Sequence, residues 1–362
     1  MERIAVAMSG GVDSSVAAWL LKEEGCAPVG VTLRLFNPED LAPGQEGACR
    51  ALEDLADARA VAAHLGIPHH TLDLRDTFRQ EVMDPFVHAY EQGRTPNPCV
   101  TCNRSIKFGA MLDQALALGC EGLATGHYAR VEQDPQTGRY LLKKAAYPEK
   151  DQSYVLWSLT QPQLSRVRFP LGEMTKDQIR AIALEQGLVS ARKRDSQDIC
   201  FVPDGDYGSF IRRHTGRDYP QGPFCSPQGD VLGTHSGIIS YTLGQRRGLG
   251  VSSNQGRLYV TRICPENNTV VLSGNQDLFH SSLLAGELNL ISVERLEAPM
   301  RVWAKVRYRM EPQPAWLEQT GPHEARVSFD QPQRAITPGQ SVVFYQGDLV
   351  VGGAVIQKTE TM

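Results

Sequence analysis

Apolar and polar positions follow two different rhythms along this chain. From the N-terminus to about residue 130, short apolar runs alternate with stretches whose apolar residues recur every three or four positions. Ile4–Met8 reads as a buried strand, and Val16, Trp19 and Leu20 then mark one face of a helix ending near Gly25. Val29–Leu35 predicts a second strand, Leu52–Leu65 a helix stopping at Gly66, and "HHTLDL" a third strand. A helix around Phe78–Tyr90 ends near Gly93. After the loop "RTPNPC" another runs to about Leu118, with Gly119 as its cap. "GLATGH" reads as a strand entering a tight turn, and Thr175 with Gln178 makes a capping box opening the helix "KDQIRAIALEQG". This alternation predicts an α/β domain with a parallel sheet covered on both faces.

Beyond about residue 205 the rhythm shortens. Gly and Pro become dense and β-rich runs such as "GRLYVTRI" and "TVVLSG" dominate, followed by "RVWAKVRY", "ARVSF", "SVVFY" and "LVVGGAVI". The expected organisation is therefore three domains: residues 1–204 α/β, 205–280 a central β-rich domain, and 281–362 a small C-terminal β-barrel. A length of 362 residues suits two or three domains. The apolar run in "MERIAVAMSGG" is too short for a signal peptide or a membrane span, so the expectation is a soluble cytoplasmic protein without membrane association. Net charge is −4, which excludes a globally basic nucleic-acid coat. The first hundred residues hold eight Lys and Arg against fifteen Asp and Glu, a balance of −7 that leaves +3 for the rest. A polyanion would meet local basic surfaces in the later segments.

"SGGVDSS", at the turn from the first strand to the first helix, is built to approach an anion. Gly10 and Gly11 let the backbone come close, the helix aims its amides at the same point, and Ser9, Ser14 and Ser15 add hydroxyls. The Gly-Lys-Ser/Thr of a nucleoside-triphosphate loop is missing. With Asp13 beside it, such a loop fits a Mg²⁺-bridged pyrophosphate. An ordinary glycine turn capping a helix is the plainer alternative, and the strand–loop–helix setting with three serines weighs against it.

Eight cysteines are scattered at 26, 49, 99, 102, 120, 200, 225 and 264, and only Cys99 and Cys102 are close in sequence. Cys102 lies near a helix N-terminus with Arg104 and Lys107 beside it, a setting that favours a thiolate. Arg192, Lys193 and Arg194 would act similarly on Cys200 if they fold near it. Buried small apolar residues are one reading of these sulfurs. A zinc site is a second, but no other C-x-x-C exists to complete it. Redox or sulfur-transfer pairing, one loop cysteine with a distant partner, accounts for them best.

The loop resembles the SGGxDS loop of the ATP pyrophosphatase superfamily, whose members split ATP between its α and β phosphates. SGGVDSS, RTPNPCVTCNRSIKFG, ATGHYAR, KDQSYVLW, PLGEMTK, DSQDICFV, YTLGQRRGLG and ITPGQSVVFY stand in the order seen in tRNA-specific 2-thiouridylases, and the match spans nearly the whole chain. The resemblance implies an adenine nucleotide alpha hydrolase-like first domain. The implied activity is ATP-dependent replacement of the 2-oxygen of the wobble uridine by sulfur, in tRNAs for lysine, glutamate and glutamine. It implies a sulfur-relay protein or cysteine desulfurase as a further partner.

Position by position, it implies Cys102 as nucleophile and Cys200 as the cysteine that carries a persulfide. Ala7, Met8, Ser9, Gly10, Gly11, Val12, Asp13 and Ser14 match the ATP loop, and Leu33 and Gly126 match further nucleotide contacts. Asn97, Pro98 and Cys99 match the segment that meets the target base. Lys150, Asp151, Gln152, His127, Arg307, Tyr308, Arg309 and Gln340 match tRNA-contact positions. Many relatives carry aspartate where this chain has Cys99, an acid that is a candidate proton shuttle. The third sulfur opens a second possibility, Cys99, Cys102 and Cys200 as ligands of a [4Fe–4S] cluster, and the sequence leaves both routes open.

Two further stretches fit RNA. In "RVWAKVRYRM", strand alternation puts Arg301, Trp303, Lys305, Arg307 and Arg309 on one face, opposite Val302, Ala304, Val306, Tyr308 and Met310. Four cations and an aromatic ring suit phosphate contact and base stacking, although a solvated barrel face has the same pattern. Arg246 and Arg247, in "GQRRGLG", read the same way. A nitrogen-inserting synthetase and a non-catalytic nucleotide-binding protein remain as rival classes. The first would leave the cysteines idle, and the second the β-rich half unexplained.

Overall fold

In the computed structural model, residues 1–37, 46–193, 199–252 and 256–360 are described. The chain divides into two units. The first comprises Met1–Val82, Cys99–Asp204 and Gln346–Val351, and the second Met83–Pro98, Gly205–Tyr345 and Gly352–Met362.

The first unit is organised by β1 (Arg3–Ala7), whose Ile4, Ala5 and Val6 are almost wholly buried. A central parallel strand is covered on both faces, so it reads as a continuous apolar run. Its neighbours are β2 (Ala27–Arg34) and β4 (Gly122–Ala124), with β3 (His69–Asp73) outside β2. A hairpin of β5 (Ala129–Gln133) and β6 (Tyr140–Lys144) intervenes in the chain before β7 (Val167–Arg168) completes the sheet. The order is β3-β2-β1-β4-β7, and each neighbouring pair is parallel. Helix α1 (Val12–Glu23) lays Val12, Val16, Ala17 and Leu21 into one core with Ile4 and Val6, joined by Ile179 and Ala183 of the helix Lys176–Glu185. Each fully buried Val, Leu or Ile in such a core contributes about 1.5–3 kcal/mol. The α/β domain with a parallel sheet is thus as the sequence predicts.

Because β1 lies between β2 and β4, the chain leaves it in opposite directions across the sheet. In open α/β sheets such a reversal opens a crevice at the carboxyl ends of the strands. Ala7, Leu33 and the turn after Ala124 all stand at those ends.

Two predicted helices are not single α-helices. The stretch around Phe78–Tyr90 is an α-turn (Arg75–Phe78), a π-helical turn (Arg79–Met83) and a helix (Asp84–Glu91). The helix after "RTPN" begins at Pro98, earlier than expected, and runs as π-helix from Cys102 to Ala110 before Met111–Ala117. The β5–β6 hairpin was not legible from periodicity, because Leu142 is the one wholly buried residue of β6.

In the second unit β8 (Gly222–Cys225), β9 (Val231–His235), β10 (Tyr259–Cys264) and β11 (Thr269–Ser273) form a sheet in the order β10-β11-β8-β9. Six further strands follow: β12 (Phe279–Leu290), β13 (Met300–Lys305), β14 (Gln313–Gly321), β15 (Glu324–Arg334), β16 (Ser341–Gln346) and β17 (Leu349–Glu360). They run β12-β15-β14-β13-β16-β17, and β17 pairs back onto β12, closing a barrel. Val302, Ala304, Ala315, Leu317, Val327 and Phe329 alternate inward to fill it. No described helix is long and apolar enough to cross a membrane.

Candidate functional site

The loop between β1 and α1 is held by its own serines. Ser14 Oγ and Ser15 Oγ both donate to the Gly11 carbonyl, at 3.0 and 2.9 Å, and Ser190 Oγ donates to Ser15 Oγ at 2.9 Å. Ser15 is fully buried. Ser14 and Ser15 therefore shape the loop, whereas the sequence reading made all three serines anion donors. Ser9 stays exposed, with its amide bonded to Ser14 Oγ at 3.2 Å. Gly10 has φ +74°, and an added Cβ would lie 2.2 Å from the Asp54 carbonyl. Gly126 is as tightly constrained: a Cβ there would fall 2.9 Å from the backbone of Asp13 and Ser14. Leu33 is half-buried near the end of β2.

Asp13, the second residue of α1, accepts two hydrogen bonds on Oδ1. Tyr128 Oη and Lys176 Nζ each donate at 2.7 Å. Tyr128 is braced in turn by Gln152, whose side-chain oxygen accepts the Tyr128 amide at 3.0 Å and whose own amide donates to the Tyr128 carbonyl at 2.9 Å. Asp151 accepts from the Ala145 and Ser153 amides and the Ser153 hydroxyl. In the 150–152 segment, expected to contact tRNA, Gln152 thus braces the tyrosine that bonds the loop, Asp151 ties its own turn to Ala145, and Lys150 is half-buried beside them. Neither Tyr128 nor Lys176 was singled out by sequence reasoning. Both stand inside quoted motifs, but nothing in their spacing points to Asp13.

The thiols form a second centre in the same unit. Cys102 is buried, and Cys99 and Cys200 are exposed. Burial pushes the Cys102 thiol up to about 11, opposed by Lys107 and reinforced by the nearby Cys99. Cys99 and Cys200 are also pushed up, chiefly by the protein packed around their sulfurs, with Cys102 and Cys99 adding to the effect on Cys200. Cys99 and Cys200 still present surface to solvent, whereas Cys102 is a buried residue. All three sulfurs therefore lie within electrostatic reach of one another, and Lys107 opposes the rise at each.

This corrects the expected ready-made thiolates. Cys102 is the fifth residue of its helical stretch, past the first turn where the dipole acts, and desolvation outweighs the nearby cation. Lys193 is committed to Asp54 and Asp57, Arg192 is exposed, and Arg194 lies outside the described residues. The π-helical register explains why Lys107 is the cation that matters. Residues five apart, such as Cys102 and Lys107, come toward one face when the bonds run i to i+5, whereas α-helical neighbours are three or four apart.

His127 connects the two centres. It follows Gly126, its Nδ1 lies 2.7 Å from Thr125 Oγ1, and its ring packs between Phe108 and Phe169. Burial, aided by Lys107, holds it well below the usual imidazole range. This is the setting of a neutral buried ring at the carboxyl end of the sheet.

In the second unit Gln340 spends its side-chain amide on the Thr95 and Pro96 carbonyls, at 2.9 and 3.0 Å, bracing the segment that leads to half-buried Asn97 and buried Pro98. The basic strand is shorter than alternation predicts. β13 ends at Lys305, so Arg307, Tyr308 and Arg309 lie in the following turn. Arg307 donates to the Ala335 carbonyl and to Thr337 Oγ1, while Tyr308 and Arg309 are exposed. What remains on the outer face is Arg301, Trp303 and Lys305, extended by Trp316 of β14, directly opposite Arg301. Trp303 and Trp316 are 52% and 50% exposed, and the Arg301 guanidinium lies 5.4 Å from the Trp316 ring. Arg246 and Arg247 are exposed.

Three family models tile the chain: a tRNA methyl transferase HUP domain over residues 2–204, a tRNA methyl transferase PRC-barrel domain over 208–274, and an aminomethyltransferase beta-barrel domain over 280–356. Among curated proteins, the tRNA-specific 2-thiouridylase MnmA of Clostridioides difficile is 47% identical over 99% of each chain. MnmA 1 of Caldanaerobacter subterraneus subsp. tengcongensis is 50% identical over 98% of each, and MnmA of Acetivibrio thermocellus 48% identical over 98% of this chain and 99% of its own. A pyrophosphate-type loop and three neighbouring thiols match the chemistry in the relatives' names and have no use in methyl transfer. At this identity and coverage the chain belongs to the tRNA-specific 2-thiouridylases, sulfurtransferases that act on tRNA.

Proposed function

We propose that this enzyme uses ATP to thiolate the wobble uridine of the tRNAs for lysine, glutamate and glutamine at C2. One observation carries the reading: Lys107 acts on all three thiols and on His127, which follows the glycine abutting Asp13 and Ser14. An anion loop and a sulfur centre thus share one neighbourhood of the first unit. Residues 1–204 would carry catalysis, and the 205–280 and 281–362 segments would hold the tRNA, in the cytoplasm.

The target base leaves its stack, as chemistry on a base requires. Its O2 attacks the α phosphorus of ATP, an O–P bond forms, and pyrophosphate leaves into the Ser9–Ser15 loop. Preorganised α1 amides stabilise the leaving charge. Asp13 fits as the single carboxylate of a Mg²⁺ site completed by phosphates; the ion would supply further charge neutralisation there. Leu33 and Gly126 border the nucleotide.

Cys200, exposed enough to meet a donor, receives sulfur as a persulfide from a relay protein or desulfurase. The terminal sulfur attacks C2 and AMP departs. Cys102 then attacks Cys200 Sγ, which releases 2-thiouridine and leaves a Cys102–Cys200 disulfide for a dithiol reductant to reopen. Cys99 stands at the base-facing segment with Asn97 and Pro98. Cys99, Cys102 and Cys200 are also the three sulfurs that would hold an iron–sulfur cluster in the alternative route.

The test is anaerobic thiolation of unmodified glutamate tRNA, comparing a persulfide donor with free sulfide, with iron assayed in the same preparation. Iron-free protein should thiolate with the persulfide donor, and Cys200→Ser should lose thiolation while still releasing pyrophosphate. Activity that tracks bound iron and needs sulfide alone would overturn the persulfide route.

A further inference from the structure

The first carbonyl beyond β1 is held by a side chain. β1 ends at Ala7, and Met8, only 2% exposed, is where the chain turns into the glycine loop. Two consecutive residues of β2 grip it. The Met8 amide donates to the Val31 carbonyl at 2.8 Å, and the Met8 carbonyl accepts from Thr32 Oγ1 at 2.7 Å. A threonine hydroxyl has one proton to give, so the 2.9 Å contact between Thr32 Oγ1 and His69 Nε2 is donated by the imidazole. Burial holds His69 below the usual imidazole range, aided by Arg59 of the helix Glu46–Leu65 and by His70. Near pH 7 the ring is therefore neutral, with its proton on Nε2.

The sheet makes that reach possible. His69 on β3 stands opposite Gly30 on β2, and Thr32 lies two residues further along the same face. A Cβ on Gly30 would fall 3.0 Å from His69 Cδ2 and 2.7 Å from Met8 Sδ, so the glycine leaves the space through which the ring meets the hydroxyl. The bonds then continue in one direction. The Ser9 amide, the other half of the Met8–Ser9 peptide, donates to Ser14 Oγ at 3.2 Å, and Ser14 Oγ donates to the Gly11 carbonyl at 3.0 Å. His69, Thr32, the Met8–Ser9 peptide, Ser14 and Gly11 thus make one chain in which each donor polarises the next. It ends on the residue that caps α1. A loop that receives an anion must present N–H groups and turn its carbonyls aside, and this chain ties down the carbonyls of Met8 and Gly11.

We propose that His69 is a positioning residue of the loop, acting through Thr32 to hold the Met8–Ser9 peptide in the orientation that receives pyrophosphate. Without the imidazole donor the Thr32 hydroxyl can turn to other partners, and the Met8 carbonyl loses its fixed donor. The proposal rests on the ATP reading above. It adds two residues, His69 and Thr32, that stand outside all the motifs behind that reading.

The test measures binding of pyrophosphate and of AMP to the full-length protein by calorimetry, together with the ATP KM and tRNA KM of thiolation. Thr32→Val keeps the β-branched shape but leaves the buried Met8 carbonyl unpaired, and it should weaken pyrophosphate binding about tenfold. His69→Leu should weaken it about threefold, the loss of one neutral hydrogen bond. The ATP KM should rise by the same factors while the tRNA KM stays fixed. AMP binding should be unchanged, because AMP lacks the β and γ phosphates. His69→Gln still offers an amide proton near the Nε2 position and should bring pyrophosphate affinity back to within about twofold. Adding His69→Leu to Thr32→Val should cost nothing further, since the path to Met8 is already cut. His69→Leu and His69→Gln carry the test if Thr32→Val does not fold. Unchanged pyrophosphate binding in His69→Leu, equal losses in the Leu and Gln variants, equal losses for AMP and pyrophosphate, or additive losses in the double variant would overturn the proposal. If the unsubstituted protein binds neither pyrophosphate nor ATP, the ATP reading itself fails.

Discussion

The loop-and-thiol neighbourhood of the first unit and the outer barrel face of the second treat polar groups in opposite ways. Around the loop, Ser14, Ser15, Asp13, Tyr128 and Lys176 bond to one another, and Cys102 and His127 are buried and held neutral. On the barrel, Trp303, Trp316 and Tyr308 stand 52%, 50% and 40% exposed among cations. The first arrangement costs folding energy in order to place groups before substrate arrives. The second leaves apolar surface in water that a partner can cover. Chemistry should therefore be sensitive to atom-scale changes in the first unit, and the barrel face should affect affinity alone.

Gly126→Ala would strain the first half of that comparison most. The new methyl would fall 2.9 Å from the Asp13 carbonyl carbon and the Ser14 amide nitrogen, both backbone atoms that cannot swing aside. Overpacking of this kind costs about 1–3 kcal/mol. A melting curve should show the loss, and pyrophosphate release should fall along with thiolation. Retained ATP turnover in a variant of unchanged melting temperature would mean that the loop is not preset.

What the sequence made legible follows from which properties are local. The strand–glycine–helix signature of residues 4–23 depends on nearest neighbours, so the loop was found where it lies. The parallel sheet followed from alternation, because buried strands and amphipathic helices differ in period. The state of the thiols was not legible, since desolvation depends on everything packed around a sulfur and here it outweighs the cations visible in sequence. Lys176 was invisible because its partner is 163 residues away. The π-helix at Cys102–Ala110 has no periodicity signal of its own, so the sequence set Arg104 and Lys107 equally beside Cys102 and did not single out Lys107. Arg307 to Arg309 were assigned to a strand face that ends at Lys305, because alternation carries no mark for where a strand stops.

Lys107→Met sharpens the comparison at intermediate size. Lys107 lowers the Cys99, Cys102 and Cys200 thiols against the rise caused by burial. Its removal raises all three further and leaves less thiolate at neutral pH. With Cys102 near 11, the thiolate fraction grows about tenfold per pH unit through the neutral range, so thiolation limited by that attack rises with pH. The variant's profile should be displaced to higher pH, with a loss of about tenfold at pH 7 for each unit of displacement. Pyrophosphate release should not share that displacement. A profile parallel to that of the unsubstituted enzyme would remove Lys107 from the sulfur step.

The smallest effect belongs to the barrel. Trp303 faces outward from β13 opposite Pro314, and its removal leaves the alternating inner residues Val302 and Ala304 in place. Trp303→Ala should therefore melt as the unsubstituted protein does. Base stacking on an aromatic side chain is worth about 1–3 kcal/mol. Because half of this ring already lies against the barrel, the low end applies, roughly a fivefold rise in the KM for tRNA at 1 kcal/mol. The ATP KM and kcat should stay fixed. Trp316→Ala should cost somewhat more, since it also removes the ring against which the Arg301 guanidinium rests while it bonds Asp330. A fall in kcat at saturating tRNA in either variant would break the division of labour, because the exposed face would then be helping to set the geometry of the reacting base as well as holding the RNA.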